Sequence, residues 1–316
     1  MKMEFEHISV LAEEVDDFAP QTTQTILDCT LGGGGHSRRL LEKFPEANLY
    51  GIDRDAKALN ATSDCLKNYK EQILLEQASF SELPEYFANW GVAQFDYILA
   101  DIGLSSEQLA RPERGFSFMH EGPLDMRMDP DRQHLTAADL VNKSSEHELL
   151  KILRAYGEER FARKIVSTIL AEREKKLFET TKELAEMVSD VIPQRFQKPG
   201  FNPATLTFQA LRIAVNDELN ELGALLKEAP SLFKQDGRLA IISFHSLEDR
   251  MVKHQFRKWE NPCVCPTDLP YCICGEKPLG RVLTRRPVNA SAKEAAENPR
   301  SRSAHLRVFS FSEITS

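Results

Sequence analysis

Four short apolar runs rich in β-branched residues recur through the first hundred residues: TILDCTL (25–31), NLYGID (48–53), ILLEQAS (73–79) and FDYILADI (95–102). Between them lie stretches with helical signals, among them HSRRLLEKF and DAKALNATSDCLKNY. Strands that alternate with helices form parallel βαβ units, and near-continuous apolar strands belong to a sheet covered on both faces. The expected fold class is therefore α/β, with a doubly wound sheet.

The alternation stops after residue 102. SSEHELLKILRAYGEERFARKIVSTILAERE sets Phe161, Ile165, Ile169 and Leu170 on one face at helical spacing, and TTKELAEMVSDVI repeats the pattern before Pro193. Sheet signals return at GRLAIISFHS (237–246) and HLRVFSF (305–311). The expected organisation is a discontinuous sheet domain, 1–108 and 206–316, with an all-helical insertion at 109–205.

The first strand runs into LGGGGHS, where a doubly wound fold binds its ligand. A dinucleotide fingerprint would need glycine or alanine at Ser37 or Arg38, and no GKS or GKT comes after the run, so neither a dinucleotide loop nor a P-loop fits. Asp53 ends the second strand about twenty residues on, where such folds use a carboxylate for the ribose hydroxyls. Loop and carboxylate together select an adenosine-type ligand, and the missing pyrophosphate fingerprint steers toward S-adenosylmethionine (AdoMet). Asp101 ends the fourth strand beside the switch point; it either faces a transferable methyl group or merely caps the next turn of chain.

Formal charge is −8, yet residues 281–307 carry seven Lys/Arg against two Glu, a local basic segment on an acidic chain. The N-terminal stretch has acidic residues where a secretory signal would be apolar, and no stretch approaches the ~18 apolar residues of a membrane span. A cytoplasmic protein without a membrane partner is expected. Four of the six cysteines, Cys263, Cys265, Cys272 and Cys274, form two CxC pairs. On a hairpin of extended strands such pairs could close a structural zinc tetrahedron; four reduced thiols in a loop are the alternative.

LGGGGHS, DIGLSS, ERGFSF, GPLDMRMD, YGEERFARKI, TKELAE, TFQALRIAVNDEL, SFHSLEDR and NPRSRS occur in this order. Together they closely resemble the RsmH (MraW) family of ribosomal RNA cytosine-N4 methyltransferases, from His7 to about Val308. The resemblance implies a class I (Rossmann-like) AdoMet-dependent methyltransferase with a helical insertion, acting on N4 of one cytidine in the decoding region of 16S rRNA. It places the donor on Gly34, Gly35, His36 and Asp53, with Phe80 by the adenine, and Asp101 and Gln108 near the methionine end and reaction centre. Asp101 is the expected catalytic residue.

Amino-methyltransferases acting on DNA commonly continue from their acidic or Asn residue into Pro-Pro-aromatic, whereas Asp101 is succeeded by Ile-Gly-Leu. The ring that stacks on the target base must come from elsewhere, and Phe116, Phe118 and Phe244 are candidates, with His245 beside the last. Arg111, Arg114 and Arg127 near the site, and Arg285, Arg286, Arg300 and Arg302 in the basic segment, are expected to meet RNA. The expected partner is 16S rRNA or the small ribosomal subunit, and a monomer and a homodimer are both compatible with the sequence. Two alternatives stand beside this reading: an amino-methyltransferase acting on DNA or a small molecule, and a non-catalytic RNA-binding assembly protein that retains the pocket.

Overall fold

The structure, a computed structural model, describes residues 9–92, 94–197, 200–266, 271 and 273–312. The chain forms two compact units, one of Met1–Gly103 with Glu221–Ser316 and one of Leu104–Asn220.

The first unit is built on a seven-stranded sheet: β1 (Thr25–Asp28), β2 (Asn48–Asp53), β3 (Ile73–Gln77), β4 (Phe95–Asp101), β5 (Phe233–Ser243), β6 (Gly280–Val282) and β7 (His305–Phe311). Their order is β3-β2-β1-β4-β5-β7-β6. Strands β3 to β5 are parallel, and β7 is antiparallel to both its neighbours. This is the expected class I methyltransferase fold, a doubly wound sheet with one reversed strand let in near its edge. All four N-terminal strands lie where the apolar runs placed them.

Around the sheet lie α1 (Ala12–Phe18), α2 (Gly35–Lys43), α3 (Ala56–Cys65) and α4 (Leu83–Trp90). The pleat divides β4 between two cores: Tyr97 and Leu99 join Val15, Leu40, Leu41 and Leu66 on one face, whereas Ile98 and Ala100 join Leu225, Val252 and Phe256 on the other. All four of those strand residues are fully buried. Burial on both faces is why β4 reads as an unbroken apolar run rather than an alternating one.

The second unit contains α5 (Ser106–Ala110), α6 (Ala137–Lys143), α7 (Glu146–Ala155), α8 (Ala162–Arg173), α9 (Thr181–Val191) and α10 (Thr205–Asn216). Capping boxes at Thr136/Asp139, Ser145/Glu148 and Thr180/Glu183 fix where α6, α7 and α9 begin. Ile165 and Ile169 enter a core with Leu149, Leu153, Leu184, Val188 and Phe208. Phe161 caps α8 from outside the helix and packs only partly against that core. Helix α10 buries Phe208, Leu211 and Val215 in the same core, so the helical unit extends to Asn220 and is wider than the expected 109–205.

The chain returns to the sheet through α11 (Glu218–Glu228), and α12 (Ser246–Glu260) and α13 (Ala292–Glu297) complete the helices among the described residues. The basic C-terminal segment is thus no loose tail. It supplies β6, α13 and β7, and Phe309 and Phe311 pack with Trp259 and Phe256 in an aromatic cluster at 4.8–5.5 Å between ring centroids.

Candidate active site

Strand order reverses between β1 and β4, which opens a crevice beyond their carboxyl ends. Each strand around that crevice ends in an aspartate: Asp28 on β1, Asp53 on β2 and Asp101 on β4. Asp28 is level with Gly51 of β2 and Leu99 of β4, so Asp53 and Asp101 each stand two residues farther out, on either side of the β1 exit. Two residues is one pleat period, so the carboxylates flank the path of the glycine turn.

That turn is held by its backbone. Gly32 and Gly34 both have positive φ, 53° and 76°, and the Gly34 N–H donates to the Leu31 carbonyl at 2.8 Å. The Thr62 hydroxyl on α3 donates to the Gly32 carbonyl at 3.1 Å. A Cβ on Gly34 would stand 3.2 Å from the Thr62 methyl and in a backbone region that L side chains rarely adopt. Gly35 then opens α2.

Asp53 is tied to the same turn. Its Oδ2 accepts the Gly32 N–H at 2.9 Å and its Oδ1 accepts the Asp55 N–H at 2.8 Å. Burial nevertheless raises its pKa from an ordinary 3.8 to about 6, with the neighbouring Asp55 and Asp28 charges adding to the effect. Asp28 is buried deeper; it accepts the Ser37 hydroxyl at 2.6 Å and the Thr30 N–H at 3.0 Å. Burial pushes the Asp28 carboxyl up too, against those hydrogen bonds and nearby His36, while the Asp101 charge reinforces the rise.

Thr30 links the first aspartate to the third, because its hydroxyl accepts the Asp101 N–H at 2.6 Å. Asp101 Oδ2 lies 3.7 Å from His36 Nε2, with the two side chains 17% and 7% exposed. Asp101 Oδ1 and both His36 ring nitrogens are buried without a hydrogen-bond partner among the described residues. Such groups are costly to leave unsatisfied, so a polar ligand in the crevice would relieve them. Arg300 approaches from the Pro299–Ser303 turn: burial lowers its guanidinium pKa, and the Asp101 carboxylate counters that.

Phe80 begins a short 3-10 turn after β3, capped by Ser79 and Glu82, and is half-buried against the sheet core. Phe244 comes directly after β5, and its ring lies over Gly103; a Cβ there would stand 2.5 Å from Phe244 Cε2. His245 is the N-cap of α12: its Nδ1 accepts the Glu248 N–H at 3.4 Å, while Glu248 Oε2 accepts the Phe244 and His245 N–H groups at 2.8 and 3.2 Å. The FHSLE stretch is thus a capping box with histidine in the place of serine.

Other sequence candidates fall in the helical unit and serve its own structure. Gln108 is the third residue of a capping box, its Oε1 accepting the Ser105 N–H at 3.0 Å. Arg114, expected at RNA, is buried and donates to the carbonyls of Arg127 and Met128 at 3.1 and 3.0 Å. Arg127 forks onto Asp125 at 2.8 and 2.7 Å and donates to the Pro130 and Gln133 carbonyls. Phe116 is a core residue only 7% exposed, too enclosed to be a stacking platform, and Phe118 meets Phe208 edge-on at 5.0 Å. Arg111 pairs with Glu107 at 2.5 Å. Arg285, Arg286 and Arg302, in the sheet unit, are exposed.

A model of the MraW methylase family matches residues 4–312. The chain belongs to that family. It is 46% identical over 307 residues to the ribosomal RNA small subunit methyltransferase H of Symbiobacterium thermophilum, covering 96% of each chain. It is 49% identical over 306 residues to the protein of that name from Trichlorobacter lovleyi, covering 96% of this chain and 97% of the other. A methyltransferase H 2 from Agathobacter rectalis is 43% identical over 315 residues, covering 99% of this chain and all of the other.

As an MraW methylase the protein is a methyltransferase, and its crevice suits AdoMet. Its carboxylate-rich rim, with Asp28, Asp53 and Asp101 at three strand ends, favours a cationic sulfonium. Sequence reasoning missed Asp28, Thr30 and Ser37, although Asp28 and Thr30 stand within the very run that reads as a strand. It also assigned Arg300 to RNA contact rather than to Asp101's neighbourhood.

Two features of this MraW methylase lie outside the crevice. Cys263, Cys265 and Cys274 bring their sulfurs within 4.8 Å of one another, while Cys272 lies outside the described residues. No strand forms at the described positions there, so the expected hairpin of extended pairs is not what gathers the thiols. Among the described residues, no helix is long and apolar enough to cross a membrane.

Proposed function

We propose that this MraW methylase transfers a methyl group from AdoMet to the exocyclic N4 of a cytidine in the decoding region of 16S rRNA, in the cytoplasm. The observation that carries the reading is Asp101. It stands at the switch point, its backbone fixed by Thr30 and one carboxylate oxygen buried with no hydrogen-bond partner among the described residues. The names of the relatives supply the rRNA substrate.

AdoMet, when bound, supplies a methyl carbon already activated by its sulfonium. Cytosine N4 is a poor nucleophile because its lone pair is delocalised into the ring. Asp101 accepts a hydrogen bond from the N4 amino group, which localises the lone pair and aims it at the methyl carbon. With AdoMet in place, N4 would take the methyl carbon as the sulfur–carbon bond broke, and Asp101 or water would accept the proton of the acidic aminium. Positioning can supply ~7–11 kcal/mol of the barrier, against ~10²–10⁴-fold from a general base, so alignment is the larger task. His36 and Arg300 flank the Asp101 carboxylate and orient it. Asp53 holds the ribose, Gly34 and Gly35 admit the donor's backbone-facing side, and Phe80 lies by the adenine.

Phe244 takes the place of the aromatic absent after Asp101. Its ring packs on Gly103, two residues beyond the catalytic carboxylate, so the fold returns from β5 what a Pro-Pro-aromatic sequence provides in line. Exposed Arg285, Arg286 and Arg302 serve the RNA backbone.

The test is incubation of the purified protein with labelled AdoMet and, separately, unmethylated small subunits, free 16S rRNA, or DNA, and then nucleoside analysis. N4-methylcytidine in the rRNA is expected. Label in DNA alone, or no transfer to any substrate, would overturn the reading.

A further inference from the structure

We propose that Cys263, Cys265 and Cys274 hold a structural zinc ion, independent of methyl transfer. In a tetrahedral tetrathiolate with Zn–S bonds of about 2.3 Å, the sulfurs sit about 3.8 Å apart. Cys263 Sγ and Cys274 Sγ lie 3.8 Å apart, and the Cys265 sulfur stands within 4.8 Å of both. Such a spacing is far beyond the ~2.05 Å of a disulfide and matches a shared metal ion. Cys272, which is not among the described residues, precedes Cys274 by two residues as Cys263 precedes Cys265, so the sequence supplies a fourth thiolate at matching spacing.

Two further observations point to a metal rather than to chance proximity. The Ile273 N–H donates to Cys265 Sγ at 3.3 Å, the kind of outer hydrogen bond that offsets charge on a ligating thiolate. The surrounding segment also has no core of its own. Val264, Tyr271 and Ile273 are 76–78% exposed, and no helix or strand forms among the described residues between Asn261 and Leu279. A segment that buries so little cannot offset the entropy of holding three thiols together, and a metal ion supplies that missing free energy. A cluster made of thiolates alone selects a soft, tetrahedral divalent ion, zinc above all, and its place away from the crevice makes the site structural.

The test uses the full-length protein, purified without chelator from zinc-supplemented cells. Elemental analysis should find about one zinc per chain. Zinc should fall at least about tenfold in a Cys263→Ser/Cys274→Ser variant and persist in a Cys65→Ser variant. Cobalt(II) added to the zinc-free protein should give the intense visible bands and near-ultraviolet charge-transfer band of a tetrahedral tetrathiolate. The double variant should retain binding of S-adenosylhomocysteine (AdoHcy), the demethylated donor, which separates loss of metal from loss of fold. Wild-type protein without zinc whose cobalt spectrum is octahedral, or a double variant that keeps its zinc, would overturn the proposal.

Discussion

Lowering the pH should weaken donor binding through one carboxylate, Asp53, whose pKa is raised from 3.8 to about 6 in the ligand-free protein. Ribose hydroxyls donate hydrogen bonds, so they bind the ionised form, and any proton on the carboxylate has to leave first. With a pKa near 6, about nine-tenths of Asp53 is ionised at pH 7 and about one-tenth at pH 5, so the apparent Kd for AdoHcy should rise roughly tenfold over those two units and tenfold per unit below. The stability of the free protein has the opposite sign. A folded-state pKa above the unfolded one favours the protonated form, so this contribution is complete below about pH 4 and is lost as pH rises through 6. The shift corresponds to about 3 kcal/mol, and solvent screening of a half-buried group reduces it to roughly 1–2. Asp53→Asn should therefore raise the Tm of the free protein at pH 7 by several degrees while weakening AdoHcy, and flatten the pH dependence of binding. Calorimetric titration of AdoHcy from pH 8 to pH 5, on both proteins, measures all of this. Wild-type affinity that stays level down to pH 5, or an Asp53→Asn variant that binds as tightly as wild type, would refute the reasoning.

Asp101→Asn should lower kcat about 10²–10⁴-fold in a methyl-transfer assay, with AdoHcy affinity in the same titration little changed. Phe244→Ala should lower kcat/KM on rRNA by the ~1–3 kcal/mol of one base stack, roughly 5–150-fold, and Gly103→Ala should do the same from the other side because its methyl would meet the ring at 2.5 Å; full activity in both variants would remove Phe244 from the site. His245→Ala removes the N-cap of α12 and should cost about 0.5–2 kcal/mol, seen as a lower Tm in calorimetry, with AdoHcy affinity retained.

Legibility of the chain tracked the physics of each signal. The first four strands and the helical insertion were plain because burial on both faces makes β4 continuously apolar and burial on one face gives α8 and α9 their period. Strand β6, only Gly280–Val282, was invisible because three residues paired on one side carry no period. The positions of the glycine turn, Asp53 and Asp101 could be read because they end strands at a fixed place in a doubly wound fold. The arginines could not be sorted, since a guanidinium that bridges carbonyls, as Arg114 does, and one that awaits phosphate are the same letter. Phe116 failed for a like reason: a ring in a core and a ring on a platform differ only in what surrounds them.

The three aspartates show how a single topology yields separate chemistries from one residue type. All three end parallel strands at the same rim, yet their neighbours differ. Asp28 receives a hydroxyl and an N–H and is sealed; it fixes the β1 exit and, through Thr30, the backbone of Asp101. Asp53 takes both its donors from backbone N–H groups and is left with lone pairs for a ligand. Among the three, Asp101 alone keeps a buried oxygen with no described partner, and it shares His36 with Asp28 but has Arg300 beside it as well. Carboxylates crowded into one crevice disfavour one another's charge, which adds to the burial that raises Asp28 and Asp53, and a sulfonium donor lowers that repulsion on binding. The same field would disfavour an anionic pyrophosphate, so the rejection of dinucleotides that the glycine spacing suggested has an electrostatic cause as well as a steric one.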